Sequence, residues 1–178
     1  DPTGTVSLFV GTKSQGQGHD TMYKILMSHI LGLDSDDVRV LEGDTDRIAF
    51  GTGTYGSRSA IVGGSAVHKT AGLIIEKGRL LAAHLLEAAD SDIEFDAGVF
   101  TVAGTDRSVT LQDVARTAFR PGTRPEGMDP GLFETGTFEP DGQTFPNGCH
   151  VCEIEIDPDT GRMEILSYLV VDDVGNVI

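Results

Sequence analysis

Apolar residues fall into runs whose spacing changes along the chain, and each change marks an element. "TVSLFVGT" (5–12) has the β-branched and aromatic content of a strand. From His19 to Leu31 the residues Met22, Ile25, Leu26, His29 and Ile30 recur at three and four, which predicts a helix that Gly32 can stop. "DDVRVLEGD" (36–44) reads as a short strand carrying Val38, Val40 and Leu41, followed by a loop to Gly56. From Ser59 to about Ala89 the pattern is helical and most apolar in its first half. That predicts a buried central helix of roughly 45 Å at about 1.5 Å per residue.

Residues 92–119 read as a hairpin or meander, with turns at 97–98 and 104–107 and a short helix starting near Leu111. Residues 120–148 hold five of the seven prolines, which predicts a long irregular connection with room for one strand at 131–140. Beyond it Val151, Glu153 and Glu155 alternate with Cys152, Ile154 and Ile156 up to "PDTG", and a long apolar strand returns. This is a hairpin signal. No solenoid period is present. The expected class is α+β, with helices packed on a mostly antiparallel or mixed sheet, in a single domain over 1–178.

Composition narrows the partners. With 39% hydrophobic and 23% charged residues the chain suits a packed soluble domain. No apolar run approaches the roughly 20 residues of a membrane span, and no basic, apolar, cleavable leader opens the chain, so a cytoplasmic protein is expected. The net charge of −15 argues against nucleic acid and acidic membranes, because a polyanion would be repelled without a basic patch. The chain opens without Met and closes on an apolar strand, so we expect a segment of something longer, with part of any active site elsewhere.

Two glycine-studded loops carry the candidate chemistry. "SQGQGHD" and "GTYGSRS" each run straight into a helix, where four free amides and a partial positive charge attract anions. Gln15, Gln17 and His19 adorn the first, and Thr54, Tyr55, Ser57, Arg58 and Ser59 the second. Read alone, the loops leave two options open: anion sites, or turns and helix caps. Gly51 and Gly56 have Walker spacing, but Ser57 and Arg58 follow instead of Lys and Ser/Thr. "GQGHDT" lacks the third glycine of a dinucleotide fingerprint, and no parallel βαβ unit is expected around it.

Other clusters carry less. Cys149 and Cys152 sit three apart on an expected strand and point to opposite faces, which suits a buried or turn-end structural role better than chelation. Of His19, His29, His68, His84 and His150, only His19 lies in a loop of interest, and no metal-ligand spacing occurs. "EGDTDR" and "DSDD" match no calcium loop and read as solvated acids or caps, and "GSRS" is no nucleophile elbow.

Taken in order, "GQGHDT" (16–21), "GDTD" (43–46), "GTGTYGSRS" (51–59) and the ending from "FPNGCHVCEIEI" (145–156) resemble the molybdenum-binding subunit of the xanthine dehydrogenase family. Within it they are most similar to the large chains of aerobic carbon monoxide dehydrogenases. The resemblance implies a molybdopterin cofactor with molybdenum, often extended as a cytosine dinucleotide. It carries the cofactor-contacting role onto Gln17, Gly18 and His19, and onto Thr54, Tyr55, Gly56, Ser57, Arg58 and Ser59. Arg58 fills a slot that varies in the family, so its amide is the firmer contact. Hydroxylation at carbon, or oxidation of carbon monoxide, is implied, with electrons leaving through iron–sulfur and FAD subunits or domains. The family's base, a glutamate in a Gly-Val-Gly-Glu segment, lies downstream of this stretch and its substrate loop upstream. No catalytic residue and no metal ligand is therefore assigned, and an isolated segment should be inactive, empty of cofactor and open to homodimerisation. A non-enzymatic phosphate or nucleotide-binding module using the same loops is the alternative. The substrate is not legible.

Overall fold

Val6–Val10 forms β1 and His19–Leu31 forms α1, both where their periodicity puts them. Val38–Glu42 forms β2 and lies parallel to β1, Val6 opposite Val38 and Val10 opposite Glu42. β1, α1 and β2 thus make the parallel βαβ unit that the sequence expectation excluded. Two five-residue apolar strands carry no mark of direction, and α1 with its loops is a sufficient crossover. The computed structural model describes all residues, 1–178, in two compact units, 1–140 and 141–178.

In the first unit α1 buries His19, Tyr23, Met27 and Leu31, one row spaced at four. The expected stripe is therefore rotated: Met22, Leu26 and Ile30 are half-buried, while Ile25 and His29 face solvent. Apolar residues cover so much of α1 that periodicity alone leaves its azimuth open, and tertiary neighbours choose it. A π turn, Ser59–Gly63, leads into α2, Gly64–Leu85. α2 ends at Leu85 rather than near Ala89, and it buries Val67, Ala71, Gly78, Leu81 and Ala82. β3 (Ile93–Asp96), β4 (Val99–Val102) and β5 (Ser108–Thr110) form an antiparallel sheet in that order. Phe100 of β4 is fully buried, and its ring approaches so closely that a Cβ on Gly78 would lie 2.7 Å from Cζ. α3 (Leu111–Ala118) starts at Leu111 as expected, capped by Thr110 Oγ1 accepting from the Asp113 N–H.

No strand forms at 131–140, contrary to expectation. The backbone there is held by lysines of α2. Lys69 Nζ donates to Thr137 O at 3.2 Å, and Lys77 Nζ sits 3.2 Å from Glu134 Oε1 and 5.1 Å from the Phe133 ring centroid. Side-chain donors thus satisfy a segment whose neighbouring prolines disfavour a ladder.

The second unit is a hairpin of β6 (Asn147–Ile156) and β7 (Met163–Asp173), with a register shift at Glu153/Ile154. Asp157 Oδ1 accepts the amides of Asp159 and Thr160 at 2.9 and 2.8 Å, closing the turn seen in the sequence. Cys149 and Cys152 face opposite sides of the pair, and both are exposed in mid-strand, so the buried or turn-end role does not hold. The class is α+β, built as three small sheets, one parallel and two antiparallel. No helix is long and apolar enough to cross a membrane.

Candidate functional site

Because β1 and β2 are parallel, the segments leaving them, 11–18 and 43–58, emerge at one edge. In open α/β units that edge, beyond the carboxyl ends of the strands, is where ligands bind. The two loops touch at their roots. A Cβ on Gly11 would stand 2.7 Å from Gly51 Cα, so only bare backbone fits at this crossing. Gly53 donates its N–H to Gly11 O at 3.1 Å, and Lys13 donates its own to Thr54 Oγ1 at 3.0 Å.

Above this crossing the chain is open. Gly16, Gly18, Gly53 and Gly56 have φ of +107°, +77°, +77° and +58°, and a Cβ on any of them would meet nothing within 4 Å. The glycines therefore serve two ends, left-handed backbone and exposed main chain. Neither Gly18, the N-cap of α1, nor Arg58, the N-cap of the π turn, caps its helix with a side chain. The first-turn amides of both helices remain available to a ligand.

The side chains expected at the site divide into three groups. Gln17 and Gly18 are exposed, and Gln17 Oε1 accepts the Gln15 N–H, which leaves its Nε2 free. Thr54, Tyr55, Gly56, Ser57 and Arg58 form the rim of the second loop. Tyr55 is 63% exposed there, and Ser57 holds a φ of +54°. The Arg58 guanidinium lies 5.1 Å from the Tyr55 ring centroid and donates to Thr52 Oγ1, so it braces its own loop. Ser59 and His19 are buried, at 8% and 4% exposure, and point inward rather than to the rim. No hydrogen bond joins Gln17 or Gly18 to the second loop, so contact between the loops is made at their roots and through a buried network.

That network contains residues the sequence reading passed over. Glu42, the last residue of β2, accepts from Thr12 Oγ1 and from Ser14 N at 3.0 Å, and lies 3.0 Å from His19 Nδ1. It was expected to be a solvated acid, yet its side chain is 9% exposed. Thr12 Oγ1 also lies 3.0 Å from Tyr23 Oη, which donates to Ser59 O at 3.1 Å. Two hydroxyl hydrogens serve these three links, so the Thr12–Tyr23 contact forms only when one of them turns. Burial raises the Tyr23 phenol above its ordinary pKa, keeping it a donor at neutral pH. Ser59 Oγ in turn donates to Thr54 Oγ1 at 3.2 Å, closing a path from the first loop to the second. The alternation Val38, Val40, Glu42 along β2 is the signal that could have placed this acid on the inner face.

A groove of about 170 Å³ runs along the loop roots, lined by Gly11, Lys13, Gly43, Asp44, Gly51 and Gly53 among others. It is smaller than the roughly 300–1,000 Å³ of a complete small-molecule site. A wider open concavity of about 620 Å³ involves Lys77, Asp129, Phe133 and Glu134 instead, and includes no residue of either loop.

The description of the molybdopterin cofactor-binding domain matches this chain over residues 1–178. The chain belongs to that family. This molybdopterin-binding domain is 38% identical over 178 residues to the carbon monoxide dehydrogenase large chain of Afipia carboxidovorans, covering 99% of the domain and 22% of the relative. It is 34% identical over 180 residues to the nicotine 6-hydroxylase large subunit of Paenarthrobacter nicotinovorans, covering 100% and 22%. Its fold superposes on a crystal structure of a Cu,Mo-CO dehydrogenase in the carbon monoxide reduced state with a TM-score of 0.85. That match has 38% identity over 98% of the domain and 22% of that chain. The domain thus spans about a fifth of the length of the relatives it matches, and the family match runs through both compact units. Exposed left-handed glycines and uncapped helix starts fit a large, flat, phosphate-bearing cofactor.

Proposed function

We propose that the two loops hold the phosphate-bearing and polar parts of molybdopterin, extended as a cytosine dinucleotide, in the large subunit of a molybdenum-dependent oxidoreductase. One observation carries this reading: two glycine-opened loops joined at their roots present bare main chain before helices that no side chain caps. The net charge of −15 makes such local donors necessary, since the long-range field repels an anion and only donors fixed by the fold can hold it. The amides of Gly56 and Ser57, with the Thr54 and Ser57 hydroxyls, take phosphate oxygens, while the Arg58 N–H is held by Tyr55 O at 3.3 Å. Gln17 Nε2 offers a donor to a heterocycle edge, and Tyr55 offers an exposed ring. His19 and Ser59 act from beneath, holding the main chain in place.

When bound, the cofactor supplies redox chemistry at molybdenum, and the parent enzyme hydroxylates a carbon centre or oxidises carbon monoxide. Electrons leave through iron–sulfur and FAD partners, and the enzyme is cytoplasmic. The domain alone turns nothing over, because the base glutamate and the substrate loop that the family resemblance implies are not among residues 1–178. As an isolated piece it self-associates through its hairpin, where Val151, Ile165, Leu169 and Val171 stand exposed.

The test is molybdenum content and released pterin fluorescence of the full-length protein, wild type against Gly56→Val, Gly56→Asn and Gln17→Ala. Asn tolerates a left-handed φ and Val does not, so the pair separates backbone strain from intrusion on the ligand. Both Gly56 variants should lose about tenfold in cofactor affinity, worth about 1.4 kcal/mol. Normal loading in all three, or a pterin-free wild type that binds ATP, overturns the reading.

A further inference from the structure

We propose that Glu42 is the positioning residue of the first loop, clamping its entry and its exit with one buried carboxylate. This rests on the reading of that loop as a cofactor wall. Ser14 N–H donates to Oε2, while Thr12 Oγ1 and His19 Nδ1 meet Oε1, so residues on both sides of 15–18 share a single acceptor group. Between those anchors the loop has one hydrogen bond of its own, from Gln15 N to Gln17 Oε1, and its glycines touch nothing. The carboxylate is thus the one side chain that holds both ends of the loop, beside Lys13 N–H to Thr54 Oγ1 at the entry and Met22 N–H to Gly18 O at the exit.

Its position is otherwise unfavourable. An acid buried beside loops that await an anion repels that ligand, unless donors spread over its oxygens absorb the charge. Three donors here do so. The same carboxylate reaches the second loop through Thr12, Tyr23 and Ser59, which adds a buried hydrogen-bonded link to the backbone crossing at Gly11 and Gly51. A network satisfied in this way preorganises a site, so that binding orders little chain.

The experiment uses the full-length protein with Glu42→Ala, Glu42→Gln and Thr12→Val, read by peptide-level amide hydrogen exchange and by pterin content. In cofactor-free protein, Glu42→Ala should speed exchange across 12–21 by about tenfold or more, the loss of a charge-assisted acceptor, with α3 unchanged. Glu42→Gln keeps one acceptor oxygen and should restore part of that protection. Thr12→Val should loosen the second loop's end at Ser59 as well as the first loop. Pterin content should follow loop protection through the series. Wild-type exchange at 12–21 in Glu42→Ala overturns the clamp, as does an equal rise in α3, which would mark general destabilisation. A loosened loop with wild-type pterin content overturns its service to the cofactor. A wild-type protein without pterin sinks the functional reading instead, and the exchange data then still decide the clamp.

Discussion

Gly63 sets up a sharp test of how the two loops are joined. It lies at the end of the π turn with an ordinary helical φ of −64°, so Ala there brings no backbone strain. Helix propensity alone predicts that Gly63→Ala stabilises by about 1 kcal/mol. The structure predicts the opposite. The new Cβ would overlap Tyr23 Oη and lie 3.2 Å from Thr12 Cγ2 and 3.4 Å from Tyr23 Cζ. Tyr23 is fully buried and cannot withdraw. Overpacking costs about 1–3 kcal/mol, and displacing the hydroxyl from Thr12 and Ser59 removes links worth about 0.5–1.5 kcal/mol each. Set against the propensity gain, the net loss is about 2 kcal/mol, or a Tm lower by about 4–8 °C for a chain of this size. The hydroxyl causes the severe overlap; the ring carbon stands at van der Waals distance, and Thr12 Cγ2 at 3.2 Å need give by only a few tenths of an ångström. Tyr23→Phe alone should lower stability by about 1 kcal/mol, and in that background Gly63→Ala should be neutral or stabilising. Urea unfolding of the four proteins, followed by circular dichroism, measures the cycle. Equal Gly63→Ala effects in both backgrounds, within about 0.5 kcal/mol, would refute the packing argument.

Gly32, the C-cap of α1 at φ +65°, faces the 97–98 turn so closely that a Cβ would overlap the backbone of Ala97 and Gly98. Gly32→Asn should therefore be as damaging as Gly32→Ala, about 3 kcal/mol or more by thermal unfolding. A rescue by Asn would mean that φ alone selects glycine. Thr110→Ala should destabilise α3 by about 1 kcal/mol in the same assay, through loss of its cap. Asp113 has its pKa lowered, first by the Thr110 hydroxyl and then by Arg116, so its contribution is present above the ordinary carboxylate range. That contribution fades as pH falls through the depressed value, and the carboxylate is half exposed, so the effect is small. The urea midpoint between pH 5 and 2 should carry this slope in the wild type and lose it in Asp113→Asn.

Sequence patterning located what is local and lost what is tertiary, for reasons visible at single residues. α1 was bounded correctly, and α3 was started correctly, because these limits are local: Gly18 and Gly32 in left-handed φ, and Thr110 three residues before Asp113. The expected strand at 131–140 failed because its backbone partners are Lys69 and Lys77, more than fifty residues away. Parallel pairing of β1 with β2 was equally hidden, since "VSLFV" and "VRVLE" would serve either direction. Yet that pairing gives the rest its sense. Only a parallel pair delivers two loops to one edge, brings Gly11 against Gly51, and drops Glu42 beneath the first helix start. The loops were legible as glycine and hydroxyl compositions ahead of helices, but not their union, because the acid that joins them hides in an acidic run. An antiparallel β1–β2 pair would send the loops to opposite ends, and the same glycines would then be no more than turns.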